Sequence, residues 1–217
     1  MVDGIQIKVC GLTALVDADF ADACGADYLG FNFYPQSPRH ITLGQYRSMV
    51  GRLAQRGRVA VSVEPDADSL RAMRDLGFDR FQIHFRGDIA PGAVEAWSGL
   101  VGAPNLWLAP RLAPEADVPA AWLALAGAVL LDTFDPSLFG GTGRPGDWPK
   151  FRRHREAHPA TTWILSGGLG PSNVGEALAG TGARFLDVNS GVESSPGVKD
   201  PEKLKAFIAA VHKAAAP

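Results

Sequence analysis

Cys10, with Gly11 behind it, ends the stretch 5–10, and a thiol at such a place is a candidate general base. Only the thiolate accepts a proton, so a base needs its pKa lowered, and Lys8 is a source of positive potential two residues back on the same side of an extended chain. With glycine next, the thiol is expected at a rim with little shielding; a buried structural cysteine is the alternative. Asp132 ends another stretch, after Ala128-Val129-Leu130-Leu131, where a carboxylate is costly unless used or paired. Desolvation raises a carboxyl pKa and leaves it able to donate a proton, so Asp132 reads as a general acid or else as a cap or ion-pair partner. Asp187 is a second acid of the same kind. Arg39, in Ser37-Pro38-Arg39-His40, offers a planar fork suited to a carboxylate, against the ordinary reading of a solvated loop arginine. His84, on one face with Gln82, reads as a hydrogen-bonded core histidine, and Cys24 beside Gly25 reads as packing.

Two glycine-bearing segments extend this set: Ser166-Gly167-Gly168-Leu169-Gly170 and Asn189-Ser190-Gly191-Val192. Glycine lets backbone approach a ligand closely, and N–H groups at helix starts donate to phosphate oxygens without a counter-charge. Gly141-Thr142-Gly143-Arg144-Pro145-Gly146 matches the dinucleotide pattern GxGxxG letter for letter, but it falls late in the chain and several residues after its strand. A loop over the active-site mouth, closing on substrate, is the expectation for it.

These residues must be positioned by regular elements. Short β-rich stretches recur at 5–10, 28–33, 58–63, 80–85, 105–112, 128–134, 161–167 and 185–191, their starts 22 to 33 residues apart. That spacing excludes hairpins and suits strand–helix–strand units with parallel pairing. Helices are predicted between and after them at 15–24, 43–55, 67–76, 94–99, 119–125, 147–157, 171–178 and 201–215. Eight alternating units in 217 residues predict a single-domain α/β chain, a (β/α)8 barrel over residues 1–217, with a doubly wound open sheet as the alternative. Along the strands Ile7 and Val9 oppose Lys8 and Cys10, Phe81 and Ile83 oppose Gln82 and His84, Val129 and Leu131 oppose Leu130 and Asp132, and Leu186 and Val188 oppose Asp187 and Asn189. If the apolar set faces helices, the other set points into the barrel and converges at its C-terminal mouth.

Composition narrows the partners. The formal charge of −2 argues against a nucleic-acid or anionic-membrane surface, and 46% hydrophobic with 20% charged residues excludes a mostly disordered chain. The five tryptophans read as packing rather than a base-stacking platform. Two cysteines without CxxC spacing suggest neither a disulfide framework nor a metal site, and the start MVDGIQIKVCG lacks the pattern of a secretory signal, so a cytoplasmic protein is expected.

Together the motifs resemble a known family. Lys8-Val9-Cys10-Gly11-Leu12-Thr13, Gly25-Ala26-Asp27-Tyr28-Leu29-Gly30-Phe31 and Phe33-Tyr34-Pro35-Gln36-Ser37-Pro38-Arg39 resemble phosphoribosylanthranilate isomerase of tryptophan biosynthesis. So do Leu131-Asp132-Thr133, Gly140-Gly141-Thr142-Gly143, Asp147-Trp148, Ser166-Gly167-Gly168-Leu169, Asp187-Val188-Asn189-Ser190-Gly191-Val192-Glu193 and Pro196-Gly197-Val198-Lys199-Asp200. The resemblance implies a (β/α)8 barrel without metal or organic cofactor that carries out an Amadori rearrangement of a phosphorylated sugar–anthranilate substrate. It implies Asp132 as the acid on the ribose ring oxygen, Cys10 as the base at ribose C2, and Arg39 on the anthranilate carboxylate. Gly167, Gly168, Asn189 and Ser190 are implied to hold the phosphate.

The chain departs from the family pattern at Val59-Ala60-Val61-Ser62-Val63-Glu64, at Phe85-Arg86 after Gln82-Ile83-His84, and at Gly146, where an aromatic usually stands. These positions touch the strand-three and strand-four side of the mouth and its loop, while Cys10, Asp132 and Arg39 remain. Other readings are a phosphosugar-binding barrel without turnover, an aminoaldose isomerase of the histidine pathway, against which Cys10 in place of an aspartate speaks, and a nicotinamide-dependent dehydrogenase. The sequence leaves the oligomeric state open.

Overall fold

The computed structural model describes residues 1–132 and 146–215, and in it eight parallel strands close into a barrel in chain order. The strands are β1 (Gln6–Val9), β2 (Tyr28–Asn32), β3 (Gly57–Val63), β4 (Arg80–Arg86), β5 (Leu106–Arg111), β6 (Ala128–Leu131), β7 (Trp163–Leu165) and β8 (Phe185–Val188). Helices α1 (Leu15–Ala23), α2 (Leu43–Val50), α3 (Ala67–Asp75), α4 (Ala93–Val101), α5 (Ala120–Leu123), α6 (Trp148–Ala157), α7 (Val174–Thr181) and α8 (Pro201–Ala215) follow the strands in turn. The expected barrel is therefore the observed one, and the open sheet is excluded by the pairing of β1 with β8. Among the described residues no helix is long and apolar enough to cross a membrane.

Parallel strands in a barrel are buried on both faces, and the two faces hold different side chains. Ile7, Val9, Leu29, Phe31, Ile83, Leu108, Val129, Leu186 and Val188 pack outward against helix residues such as Tyr46, Leu70, Phe151 and Phe207. Their neighbours Val59, Val61, Trp107, Ala109, Leu130, Ile164 and Phe185 fill the barrel, with Cys10 among them. Tyr28, Trp107 and Phe185, at the first or second positions of β2, β5 and β8, meet with ring centroids 5.0 to 5.3 Å apart. This aromatic layer plugs the N-terminal end. Polar inward residues collect above it, where Lys8, Gln82 and Asp187 are buried.

Local chemistry accounts for the differences from the predicted boundaries. Helix α2 starts at a capping box in which Gln45 N donates to Thr42 Oγ1 at 3.1 Å and Thr42 N to Gln45 Oε1 at 2.7 Å, and it stops before Gly51 rather than reaching residue 55. Helix α5 is a single turn. Helix α7 begins at Val174, because Asn173 folds the preceding residues into a loop by accepting from Gly170 N and donating to the Gly168 carbonyl, both at 2.9 Å. The predicted sixth strand reached residue 134; residues 133–134 lie outside those described. An unanticipated antiparallel hairpin, β9 (Glu193–Ser195) and β10 (Val198–Lys199), follows β8 and turns through Pro196-Gly197, where Gly197 adopts φ +85°.

Because the aromatic plug is far from the mouth, its contribution is testable as stability alone. Trp107→Ala removes an indole 3% exposed and both of its ring contacts, so urea unfolding should show a loss of about 3–5 kcal/mol.

Candidate active site

Lys8 is fully buried inside the barrel, and its Nζ donates to Asp187 Oδ1 at 2.8 Å. The two residues face each other in the β1–β8 register. Gly30 on β2 makes the space: a Cβ there would lie 2.8 Å from Lys8 Cε. Burial disfavours the ammonium, but the Asp187 carboxylate and the Cys10 sulfur beside it outweigh burial and hold Lys8 above its ordinary pKa. It stays charged.

Cys10 corrects an expectation. The thiol is 5% exposed rather than open at the rim. Burial pushes its pKa up, against the lowering pull of Lys8, so the lowered pKa expected for a base is not what this surrounding produces. Next to it Gly11 adopts φ +71°, and a Cβ there would stand 2.6 Å from Arg39 Cδ and 2.7 Å from Asn189 Oδ1. No side chain fits there without displacing both.

Arg39 is also buried rather than solvated. Its Nε donates to Glu193 Oε1 at 2.9 Å and Oε2 at 3.2 Å, and one Nη donates to Oε2 at 2.6 Å. Glu193 accepts again from Lys199 Nζ at 2.8 Å, which donates also to Asn189 Oδ1 at 2.9 Å. Burial alone would raise the Glu193 carboxyl; Arg39 and Lys199 overcome it and hold the group below its ordinary value. Sequence reasoning missed Glu193 and Lys199. The available signal was opposite charges flanking Pro196-Gly197, the spacing of a short hairpin that sets them side by side.

The loops after β7 and β8 touch. A Cβ on Gly191 would fall 2.0 Å from the Leu169 carbonyl oxygen, so only glycine allows the approach. Gly167 and Gly168 adopt φ +94° and +58°. Among the described residues, the backbone N–H groups of Gly168, Leu169, Ser190 and Gly191 donate to no protein acceptor. Adjacent unpaired donors of this kind, with a 3-10 turn starting at Ser190, form a concavity suited to an anion.

Asp132 follows β6 and is half-buried; its alternation with Leu130, an inner residue, puts it on the inward side. Cys10 and Asp132 thus leave parallel strands at the same end of one closed barrel, and Asn189, Ser190 and the Gly167-Gly168 pair leave the two strands between them. His84 accepts or donates a 2.8 Å bond with Gln82, as expected of a core histidine, and burial holds it down at about 4, so the ring is neutral at physiological pH. Of the glycine-rich segment 141–146 only Gly146 is described, donating to the Gly167 carbonyl; residues 141–145, and with them the expected closing loop, lie outside the described residues.

Comparison with known proteins gives a concordant result. A family model described as N-(5'-phosphoribosyl)anthranilate (PRA) isomerase matches residues 7–210. The N-(5'-phosphoribosyl)anthranilate isomerase of Syntrophus aciditrophicus is 39% identical over 210 residues, covering 96% of this chain and 87% of that one. The crystal structure of phosphoribosyl anthranilate isomerase from Thermotoga maritima superposes with a TM-score of 0.82 at 31% identity, covering 96% and 98% of the two chains. A phosphoribosyl anthranilate isomerase in complex with reduced 1-(o-carboxyphenylamino)-1-deoxyribulose 5-phosphate matches at TM-score 0.77 and 29% identity, with the same coverage.

Removing the Lys8 charge should raise the Cys10 thiol further, since the cation favours the thiolate. Thiolate absorbance titrated in Lys8→Met, with Cys10→Ala as the blank, is expected to show an apparent pKa about 1–3 pH units above that of the unsubstituted protein. Gly11→Ala should fold with a stability loss of about 1–2 kcal/mol from its positive φ and lose activity by displacing Arg39 and Asn189, measured by thermal unfolding alongside turnover.

Proposed function

The chain belongs to the N-(5'-phosphoribosyl)anthranilate isomerase family, and on that footing we propose that Cys10 and Asp132 are the base and acid of its reaction. The reaction is the isomerisation of N-(5'-phosphoribosyl)anthranilate to 1-(2-carboxyphenylamino)-1-deoxyribulose 5-phosphate in tryptophan biosynthesis. No redox partner is needed, because the aldose carbon C1 is reduced as C2 of the same sugar is oxidised.

The observation that carries the assignment is the common end of the barrel: Cys10 follows β1 and Asp132 follows β6 at the same end, with the loops after β7 and β8 between them. With the phosphate on the N–H groups of the Gly167-Gly168 and Asn189-Ser190 loops, the sugar lies between these side chains. Asp132 protonates the ring oxygen, the C1–O bond breaks, and the anilino nitrogen supplies the electron pair that forms the C1=N iminium. The Cys10 thiolate then takes the proton from C2; the C2–H electrons form the C1=C2 double bond and neutralise the iminium. The resulting enol becomes a ketone by losing its hydroxyl proton and gaining one at C1. Arg39 holds the anthranilate carboxylate during these steps, through a charge-assisted pair. A base that must remain an unoxidised thiol fits the reducing cytoplasm, which is the location we assign.

Turnover of phosphoribosylanthranilate, followed by loss of its fluorescence, tests the assignment. Cys10→Ala and Asp132→Asn should each lower kcat by about 100-fold or more with the fold intact, and full activity in either variant would reject its role. The pH profile has a defined sign: burial holds the thiol above its ordinary value, so the thiolate fraction and kcat/KM should climb as pH rises from neutral into the alkaline range. A flat profile there would remove Cys10 as the group that titrates.

A further inference from the structure

The Arg39–Glu193–Lys199 cluster contains two cations and one anion, all three nine-tenths or more buried. Among the described residues the cluster holds one more cation than anion, and burial of such an excess favours an anionic group beside it. Glu193 occupies the Nε side of the Arg39 guanidinium with both oxygens, which holds the plane of the fork and leaves the donors of its other edge out of this pair.

Glu193 is itself held rigidly. Its own oxygen Oε1 also accepts from Gly197 N at 3.2 Å, its backbone carbonyl accepts from Lys203 Nζ at 2.7 Å, and the hairpin turn is tied to the loop after β1 by Thr13 Oγ1, which donates to the Gly197 carbonyl at 2.6 Å. The hairpin therefore connects the loop that follows Cys10 with the fork of Arg39. Through Lys199 and the side chain of Asn189, it also reaches the first residue of the loop after β8.

We propose that Glu193, carried on the β9–β10 hairpin, is the positioning residue that aims Arg39 and thereby makes the enzyme selective for an aryl amine bearing an ortho carboxylate. The proposal rests on Arg39 being the carboxylate-binding residue. Glu193 does not touch substrate; it acts through the guanidinium it pins. A hairpin carboxylate of only structural value would affect all substrates alike, whereas an aiming residue changes the ratio between substrates with and without the carboxylate.

The test compares kcat/KM of the whole enzyme for N-(5'-phosphoribosyl)anthranilate and for the corresponding aniline adduct, which lacks the carboxylate. The unsubstituted enzyme should prefer the former by about 100-fold or more, as a site left with an unpaired buried charge rejects the analogue. Glu193→Asp keeps the charge and withdraws it by one methylene from the fork. The preference should then shrink about 10-fold, mainly through KM for the anthranilate substrate. The double variant Glu193→Gln with Lys199→Met removes one anion and one cation, keeps the net charge, and should shrink the preference similarly. Circular dichroism establishes that each variant is folded. An unchanged preference in a folded variant, or equal losses on both substrates, overturns the proposal. No preference in the unsubstituted enzyme overturns the Arg39 reading itself, and this inference with it.

Discussion

An ammonium group without exposed surface must be neutralised where it lies, and here that requirement closes the barrel. Lys8 on the first strand and Asp187 on the last are opposite one another in register, 2.8 Å apart between charged atoms. Withdrawing one partner would leave the other buried and uncompensated, a loss of about 3–5 kcal/mol. A slip of one residue along β1 would turn Lys8 outward among the helix-packing residues and bring Ile7 and Val9 into the polar interior. The ion pair thus guards the seam where chain beginning and chain end meet. The same ammonium lies against the Cys10 sulfur, so the element that sets register also sets the electrostatic surroundings of the thiol.

Charge at the mouth is divided by function. Among the described residues, Lys8, Arg39 and Lys199 stand against Asp187 and Glu193, an excess of one positive charge on the side of the thiol and the guanidinium. The loops after β7 and β8 present backbone donors instead of side-chain cations. Neutral donors bind phosphate with little desolvation cost and leave the cationic excess to attract the second anionic group. In the proposed mechanism this separation gives the substrate one orientation, with its two anionic ends read by different chemistry. The resulting positive potential beside Cys10 also opposes the burial that raises its pKa.

Much of the frame was legible along the chain. Alternation on β1, β4, β6 and β8 assigned inner and outer faces correctly, because side-chain direction in a strand depends only on neighbouring residues. Parallel pairing followed from connections too long for hairpins. The glycines of the loops after β7 and β8 were readable as sites of close approach, and His84 as a hydrogen-bonded histidine beside Gln82. Boundaries that depend on one side chain folding back, such as Asn173 delaying α7, were not readable, since a local hydrogen bond competes with helix at little difference in free energy.

The residue types and periodicity by themselves determined eight strand–helix units with parallel pairing and with polar inward positions toward the strands' C-terminal ends, because strand period and crossover length are local properties of the chain; closure of the sheet into a barrel came from the pairing of β1 with β8. Tertiary structure alone decided that Cys10 is covered, that Arg39 is an ion-paired interior group, and that Glu193 and Lys199 belong to the mouth. Burial and ion pairing depend on partners 154 residues away, as Arg39 and Glu193 are. The free energy of a charge is set by what surrounds it in space, which no short stretch of sequence specifies.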